Sequence, residues 1–387
     1  MSLKSLPLGQ LISSAPKNLA GERADLPVLS MTMKHGLIDQ STKFKKRIAS
    51  EDVSNYKVVR RGQLVVGFPI DEGVLAVQNL YDEALVSPAY GVWDIHTDLV
   101  TDRYLVSFLK SQQSISYYLA KLRGSTARRR SLPTSVFLEL MVPLPQLQEQ
   151  VRIIRILDEA DELRINRTKS LALLDELAAS LFDDMFSDSH EWDVVSLGKA
   201  TTKIGSGSTP RGGKNAYAGG ATALIRSMNV HNNRFVEKDL AFISDEMANS
   251  LNGVKVQSGD VLLNITGASV ARVCLVPDAY LPARVNQHVC IIRPDETLNS
   301  VFLARQLDSR NMKHKLLSIG GAGSTREAIT KAELISLEVL RPPLKLQEEF
   351  TLKIFEIERL KSRAIHAAEL EKALHTSLQA HAFKGEL

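Results

Sequence analysis

Lysine and arginine gather at corresponding places in the two halves of this sequence. The first half carries Lys43, Lys45, Lys46 and Arg47 in KFKKR, then Arg60 and Arg61. It then carries RGSTARRR, in which Arg123, Arg128, Arg129 and Arg130 surround Ser125 and Thr126. The second half carries Arg211, Lys214, Arg226, Asn229 and Arg234, and a second Gly-Ser-Thr run with Ser324, Thr325 and Arg326. Such residues neutralise phosphates and release counterions, and Arg, Asn and Gln bind base edges bidentately. The Gly-Ser-Thr runs offer backbone N–H and hydroxyl donors for positioning a sugar-phosphate backbone. Each cluster also fits a plain solvated basic face. For KFKKR alone that bland reading is preferred, whereas ARRR beside a repeated Gly-Ser-Thr run favours contact. Asn286-Gln287 fits an adenine contact and a structural turn equally.

Catalytic patterns are missing from the sequence. GSGSTPRGGKN (Gly205 to Asn215) comes nearest to a phosphate-binding loop, but the position five before Gly213 is Ser208, and Asn215 follows Lys214 where Ser or Thr would hold Mg²⁺. The chain contains no HExxH, no GxSxG and no Asp/Asn-Pro-Pro-aromatic run. Pro277-Asp278 and Pro294-Asp295 lack the Glu-x-Lys that a nuclease would need. Cys274 and Cys290 have no metal-ligand spacing and imply neither a metal site nor a disulfide framework. With no secretory h-region and no run of about 18 apolar residues, a cytoplasmic location is expected. A net charge of +4 permits an acidic partner without requiring one. The chain reads as a non-catalytic binder.

Two long helices must position these clusters. Gln146 to Phe186 has no Gly or Pro, and Ile153, Ile156, Ala160, Leu163, Leu174, Leu177 and Leu181 recur at helical spacing. A second such stretch opens at RPPLKLQEEF and carries Phe350, Ile354, Ile357, Ala364, Leu374 and Leu378. At about 1.5 Å per residue each helix is roughly 60 Å long, and two incomplete apolar seams are buried by pairing. The halves repeat. Gly124-Ser125-Thr126 matches Gly323-Ser324-Thr325, and Leu147-Gln148-Glu149 matches Leu346-Gln347-Glu348, both at an offset of 199; GQLVV at Gly62 matches GDVLL at Gly259 at 197. An amphipathic helix is expected at Asp102 to Leu122 and a helical segment at about Val301 to Leu317. The expected fold is α+β: two tandem mixed α/β domains at 1–143 and 188–342, separated by long helices at 144–187 and 343–387. A pseudo-twofold repeat would make these helices an antiparallel coiled coil.

The duplicated proline-rich turns before LQEQ and LQEE, the helix tail LDELAASLFDDMF, and WDVVSLGKATTKIGSGSTPRGG with LIRSMNV together resemble the specificity subunits of type I restriction-modification systems. The resemblance covers essentially the whole chain. It implies two target-recognition domains, each reading one half of a split, asymmetric site in double-stranded DNA. It also implies that the paired helices set the spacing and dock two methyltransferase subunits. Those subunits would carry S-adenosylmethionine and methylate adenine, and restriction subunits would complete the nuclease. Half-sites about one DNA turn apart, roughly 34–36 Å, fit this picture. The competing reading is a pseudo-symmetric protein scaffold that ignores DNA. The halves differ most between Gly67 to Trp93 and Thr266 to Gln287, so contacts cannot be transferred from one half to the other.

Overall fold

The computed structural model describes residues 4–23, 25–33, 35–43, 52–122, 132–186, 192–208, 219–321 and 328–387. They fall into two units, Met1–Thr168 with His366–Leu387, and Lys169–Ile365.

In the first unit, short strands rich in Val, Ile and Leu build an antiparallel sheet. Its strands are β1 (Ile12–Ser14), β2 (Leu64–Val66), β3 (Leu75–Val77) and β4 (Gly91–Ile95), in the order β1-β4-β2-β3. Helix α1 (Asp102–Leu109) packs Tyr104, Leu105, Phe108 and Leu109 into the core under this sheet. Thr101 caps α1 by accepting the Tyr104 N–H. The single helix expected over 102–122 is instead two. Ser111 accepts the Ser114 N–H and starts a new helix, Gln112–Lys121.

The second unit repeats the plan with β5 (Thr201–Ser206), β6 (Val261–Asn264), β7 (Val273–Leu275) and β8 (Val289–Pro294), ordered β5-β8-β6-β7. A mixed second sheet lies beside it, in which Thr222–Ile225 pairs in parallel with Ala283–Val285. Here too the expected helix divides, into α2 (Ser300–Asp308) and Arg310–Gly321, with Ser309 at the break. Both units are therefore mixed α/β, and the chain is α+β with an internal repeat.

The long helices are α3 (Leu147–Phe186) and α4 (Leu344–Ala382). Contacts inside each unit show them running antiparallel: Asp161 meets His375 and Arg167 meets Glu371 in the first, and Asp175 meets Lys361 in the second. Each helix starts against one unit's core and ends in the other's. The Phe186 ring lies 4.9 Å from Phe302 and 5.4 Å from Phe350, while Phe383, just past α4, lies 5.1 Å from Phe108 and 5.5 Å from Tyr104.

Two expectations about these helices are corrected. The LQE match does not give the structural register. Gln150, three residues into α3, is the counterpart of Gln347, three residues into α4, an offset of 197 rather than 199. Both side chains are fully buried. Gln150 accepts the Thr101 N–H at 2.8 Å and donates to the Leu99 and Pro145 carbonyls, each at 3.0 Å. Gln347 accepts the Asn299 N–H at 2.7 Å and donates to the Thr297 and Pro342 carbonyls at 3.1 and 2.8 Å. Gln148, matched by sequence, is exposed.

The seam is also narrower than its periodicity implied. Ile153, Ala160, Phe350, Ile354, Ile357 and Ala364 are buried, as are Ile154, Leu157, Ala178, Phe182 and Phe186, while Ile156, Leu174, Leu181 and Leu378 are half-buried. Leu163, Leu177 and Leu374 are exposed. A straight helix drifts by about 20° per heptad, so apolar residues that share a face at one end leave it further along.

Candidate nucleic-acid interface

Many of the candidate DNA-contacting residues singled out by sequence lie outside the described residues: Lys45, Lys46, Arg47, Arg123, Ser125, Thr126, Arg128, Arg129, Arg130, Arg211, Lys214, Ser324, Thr325 and Arg326. Lys43 ends the short helix Gln40–Lys43. Arg60 is exposed, with its Nε 3.8 Å from Glu83. Arg61 donates to Asp82 at 3.1 Å and to the Asn79 carbonyl at 2.6 Å. Arg234 is exposed on the two-residue strand Arg234–Phe235. Half-buried Arg226 donates to the Asp239 carbonyl.

Asn229 departs from its expected role. It is fully buried, its Oδ1 accepts the Arg226 N–H at 3.1 Å, and its Nδ2 donates to the Val236 and Lys238 carbonyls at 2.8 and 3.3 Å. An amide spent on holding a turn closed inside the protein cannot reach a base edge. Buried Arg284 is structural in the same way, donating to the Ala248 and Ala283 carbonyls at 3.0 Å. Burial holds its guanidinium below the usual arginine range.

The ladders give a sharper comparison of the units than the basic clusters do. Leu64 pairs with Trp93 and Val66 with Gly91; Val261 pairs with Ile292 and Leu263 with Cys290. Counting outward from these pairs, Phe68-Pro69 corresponds to Ile265-Thr266, and Pro88-Ala89 to Gln287-His288. In the first unit this edge lies within the stretch where the two halves differ most in sequence, and in the second it brackets that stretch.

In the first unit the edge is apolar. Phe68, 57% exposed, stands with Tyr90, Trp93, Leu132 and Phe137 around a cavity of about 210 Å³. Lys57 reaches its rim and donates to the Tyr90 carbonyl at 2.5 Å. Burial, followed by the charge of Lys17, holds the Lys57 ammonium below its ordinary value. The same burial raises the Tyr90 phenol.

In the second unit the edge is polar. Thr266 Oγ1 and His288 Nδ1 share a hydrogen bond of 2.5 Å, and Gln287 Nε2 lies 3.0 Å from His288 Nε2. Asn286 closes the turn beneath them: its Oδ1 accepts the His288 N–H at 3.1 Å, and its carbonyl accepts the Gly207 N–H at 3.1 Å. Gly207 is obligatory here, because a Cβ would fall 1.7 Å from the Val285 carbonyl oxygen. That contact accounts for one glycine of GSGST without any phosphate. Ala328 bridges to Thr266 on the same edge, and Ile329 donates to the Ile265 carbonyl at 2.8 Å. In sequence, Gly207-Ser208 precedes Arg211 and Lys214, and Ala328 follows Arg326.

Sequence reasoning had not singled out Thr266, His288, Phe68 or Tyr90. The available signal was the local loss of similarity between the halves. Among the described residues no group of three or more His, Cys, Asp or Glu is placed to hold a metal ion. Both cysteines are buried and free, and burial pushes their thiols up to about 12 for Cys274 and about 11 for Cys290.

No family model matches the chain. Two curated proteins of Methanocaldococcus jannaschii are similar to it. One is the putative type I restriction enzyme MjaX specificity subunit, 24% identical over 281 residues, or 66% of this chain and 60% of that protein. The other is the type I restriction enzyme MjaVIII specificity subunit, 21% identical over 282 residues, or 68% and 64%. The chain thus spans less than two thirds of the length of either relative. Solved structures match more completely. A chain from a study of complex assembly and conformational transition of the type I restriction-modification system aligns with a TM-score of 0.64 at 16% identity, covering 100% of this chain and 98% of that one. The HsdS subunit of Thermoanaerobacter tengcongensis aligns at 0.52 with 18% identity, covering 99% and 97%. The type I S subunit from M. genitalium aligns at 0.55 with 11% identity, covering 98% and 96%. The chain has the fold of the type I specificity subunits, in agreement with the resemblance seen in its sequence.

Proposed function

We propose that this chain is the DNA specificity subunit of a type I restriction-modification complex. In this reading each unit reads one half of a bipartite, asymmetric site in double-stranded DNA. The supporting observation is the pair of equivalent edges: one scaffold appears twice, with Pro69, Pro88 and Ala89 beside Phe68 in one unit and polar Thr266, Gln287 and His288 at the matching positions of the other. A scaffold repeated with unlike readers suits two unlike half-sites.

The long helices would fix the separation of the half-sites and dock two copies of a methyltransferase subunit. Their exposed leucines come in matched pairs 197 residues apart: Leu147 with Leu344, Leu163 with Leu360, Leu173 with Leu370, and Leu177 with Leu374. Repeated apolar surface on a repeated helix suits two copies of one partner. Catalysis would belong to the partners, with S-adenosylmethionine held by the methyltransferase subunits and DNA cleavage by restriction subunits. No helix among the described residues is long and apolar enough to cross a membrane. The place of action is the cytoplasm, where DNA and these partners meet.

Methylome sequencing of a host expressing the chain with its modification subunits tests this reading. A two-part methylated motif that appears only when this chain is present is the expected result. DNA binding by the assembled complex should fall steeply with salt, with a log–log slope of several units. Assembly with the partners but no motif, and no salt-dependent DNA binding, would leave a protein scaffold as the better description.

A further inference from the structure

We infer that Gln287 and His288 are the base-reading residues of the second unit and that Thr266 positions His288. This inference rests on the specificity-subunit reading and identifies the residues through which one half-site is read. Three independent observations converge on this edge.

The first is exposure combined with chemistry. Gln287 is exposed and His288 and Thr266 are half-buried, so all three reach the surface. A glutamine amide presents a donor and an acceptor side by side, the arrangement that matches N6 and N7 of adenine in the major groove. His288 Nε2 faces the Gln287 amide at 3.0 Å in the free protein and becomes available to a base edge when that amide turns to the DNA.

The second is that Asn286 closes the turn. Asn286 supplies the side-chain acceptor for the His288 N–H and the carbonyl for the Gly207 N–H. The neighbouring Asn286 is therefore structural and buried, and of the dipeptide left open by sequence only Gln287 remains at the surface. The short contact between Thr266 and His288 fixes the imidazole before any ligand arrives, which reduces the ordering cost of binding.

The third is the comparison with the first unit. The strands leading to this edge keep the same ladder order and register in both units, so positions on the edge can be matched between them. At the equivalent positions the first unit has Pro69, Pro88 and Ala89, which offer no side-chain hydrogen bond, beside the exposed ring of Phe68. Core packing accounts for neither set, since both lie at the surface end of the strands. A change from apolar to polar side chains at matched edge positions of a shared scaffold is what two half-sites of different sequence require. Polar side chains in the second unit suit readout by hydrogen bonds, and the apolar set in the first suits contact with a thymine methyl group.

The test expresses the full chain with its modification subunits and reads methylation motifs for Gln287→Ala, His288→Ala and Thr266→Val. Each should relax one or two base pairs in a single half-site, lowering discrimination there by about 5- to 150-fold, while the other half-site and the spacer stay as in wild type. Thr266→Val should relax the same base pair as His288→Ala, as a positioning residue must. Gln287→Glu keeps the shape of the side chain and carries the test should the alanine variant fail to assemble; it should move the preference at its base pair towards cytosine. Full methylation of an unchanged motif by the Gln287 and His288 variants would overturn the inference. So would relaxation spread over both half-sites. Absence of a two-part motif with the wild-type chain would instead overturn the specificity-subunit reading itself.

Discussion

Just before β2 in the first unit and β6 in the second, the two units solve the same problem with different chemistry. Gln63 accepts the Arg60 N–H at 2.7 Å and donates to Asp94 at 2.7 Å. At the equivalent ladder position Asp260 accepts the Gln257 N–H at 2.7 Å and takes both arms of Arg293, at 2.7 and 2.8 Å. The acidic partner has changed strands, and a neutral–acidic pair in one unit is an ion pair in the other. What the scaffold requires at this point is a satisfied pair joining a turn to the neighbouring strand, rather than particular residues. Gln150 and Gln347 show the opposite behaviour. Each bonds one N–H and two carbonyls where a long helix meets its unit, and there the residue type is the same in both.

The largest effect expected from breaking this parallel comes from Arg293→Ala. Asp260 is fully buried, so removing its partner leaves an uncompensated charge and should cost about 3–5 kcal/mol in chemical denaturation. Asp94→Ala at the equivalent position of the first unit leaves only a neutral amide donor unpaired and should cost about 1 kcal/mol. Equal losses would show that the two pairs contribute in the same way despite their chemistry.

Next in size are the two buried glutamines. Gln150→Ala and Gln347→Ala each strand three backbone groups, and both should cost about 2–4 kcal/mol, less than three full losses because water can enter the vacated space. Gln148→Ala should change stability by less than about 0.5 kcal/mol, since that side chain is exposed. A large effect at Gln148 with none at Gln150 would restore the register of 199 and contradict the structure.

A smaller asymmetry lies in the helix pair. Arg167 and Glu371 meet at 2.9 Å, half-shielded from solvent, while the residues 197 positions from them are Ala364 and Leu174. At this one level of the repeat an ion pair in one half therefore matches apolar residues in the other. Arg167→Ala should cost about 1–2 kcal/mol, between an exposed and a buried pair, and less in high salt. A cost that does not respond to salt would mark the contribution as packing by the arginine stem.

How much of this was legible in sequence follows from which features repeat. The long helices and the duplication were visible because periodicity and the absence of Gly and Pro persist over tens of residues. Register was harder: the short identity LQE drew Gln148 onto Gln347, and only burial identifies Gln150 as the true counterpart. Asn229 looked like a base reader because nothing local reveals that the Val236 and Lys238 carbonyls will enclose it. Leu163, Leu177 and Leu374 fit a helical period yet left the seam, since the drift of a straight helix accumulates with length. Thr266 and His288 have no pattern of their own. They come together only because β6 and β8 pair, placing residues 22 apart in sequence within one hydrogen bond.

Acid provides the finest distinction between the units. In the first, Asp39 accepts the Tyr81 hydroxyl at 2.6 Å, and this bond is the main reason its carboxyl lies below the ordinary value, with Ser41 adding to it against burial. In the second, Glu333 is also lowered, chiefly by the Thr330 backbone N–H at 2.7 Å and then by the Thr330 hydroxyl. A folded-state pKa below the unfolded one adds stability that is present above the unfolded value, about 4, and is lost as pH falls through the folded value. Tyr81→Phe removes the main cause at Asp39. The stability gap between this variant and wild type should therefore be present at neutral pH and close as pH falls below about 4. Thr330→Ala leaves the backbone donor in place. It should cost about 1 kcal/mol through loss of the helix cap, with little dependence on pH. Urea titrations at several pH values separate the two cases, and a Tyr81→Phe gap that persists at about pH 2 would show that the hydrogen bond does not act through ionised Asp39.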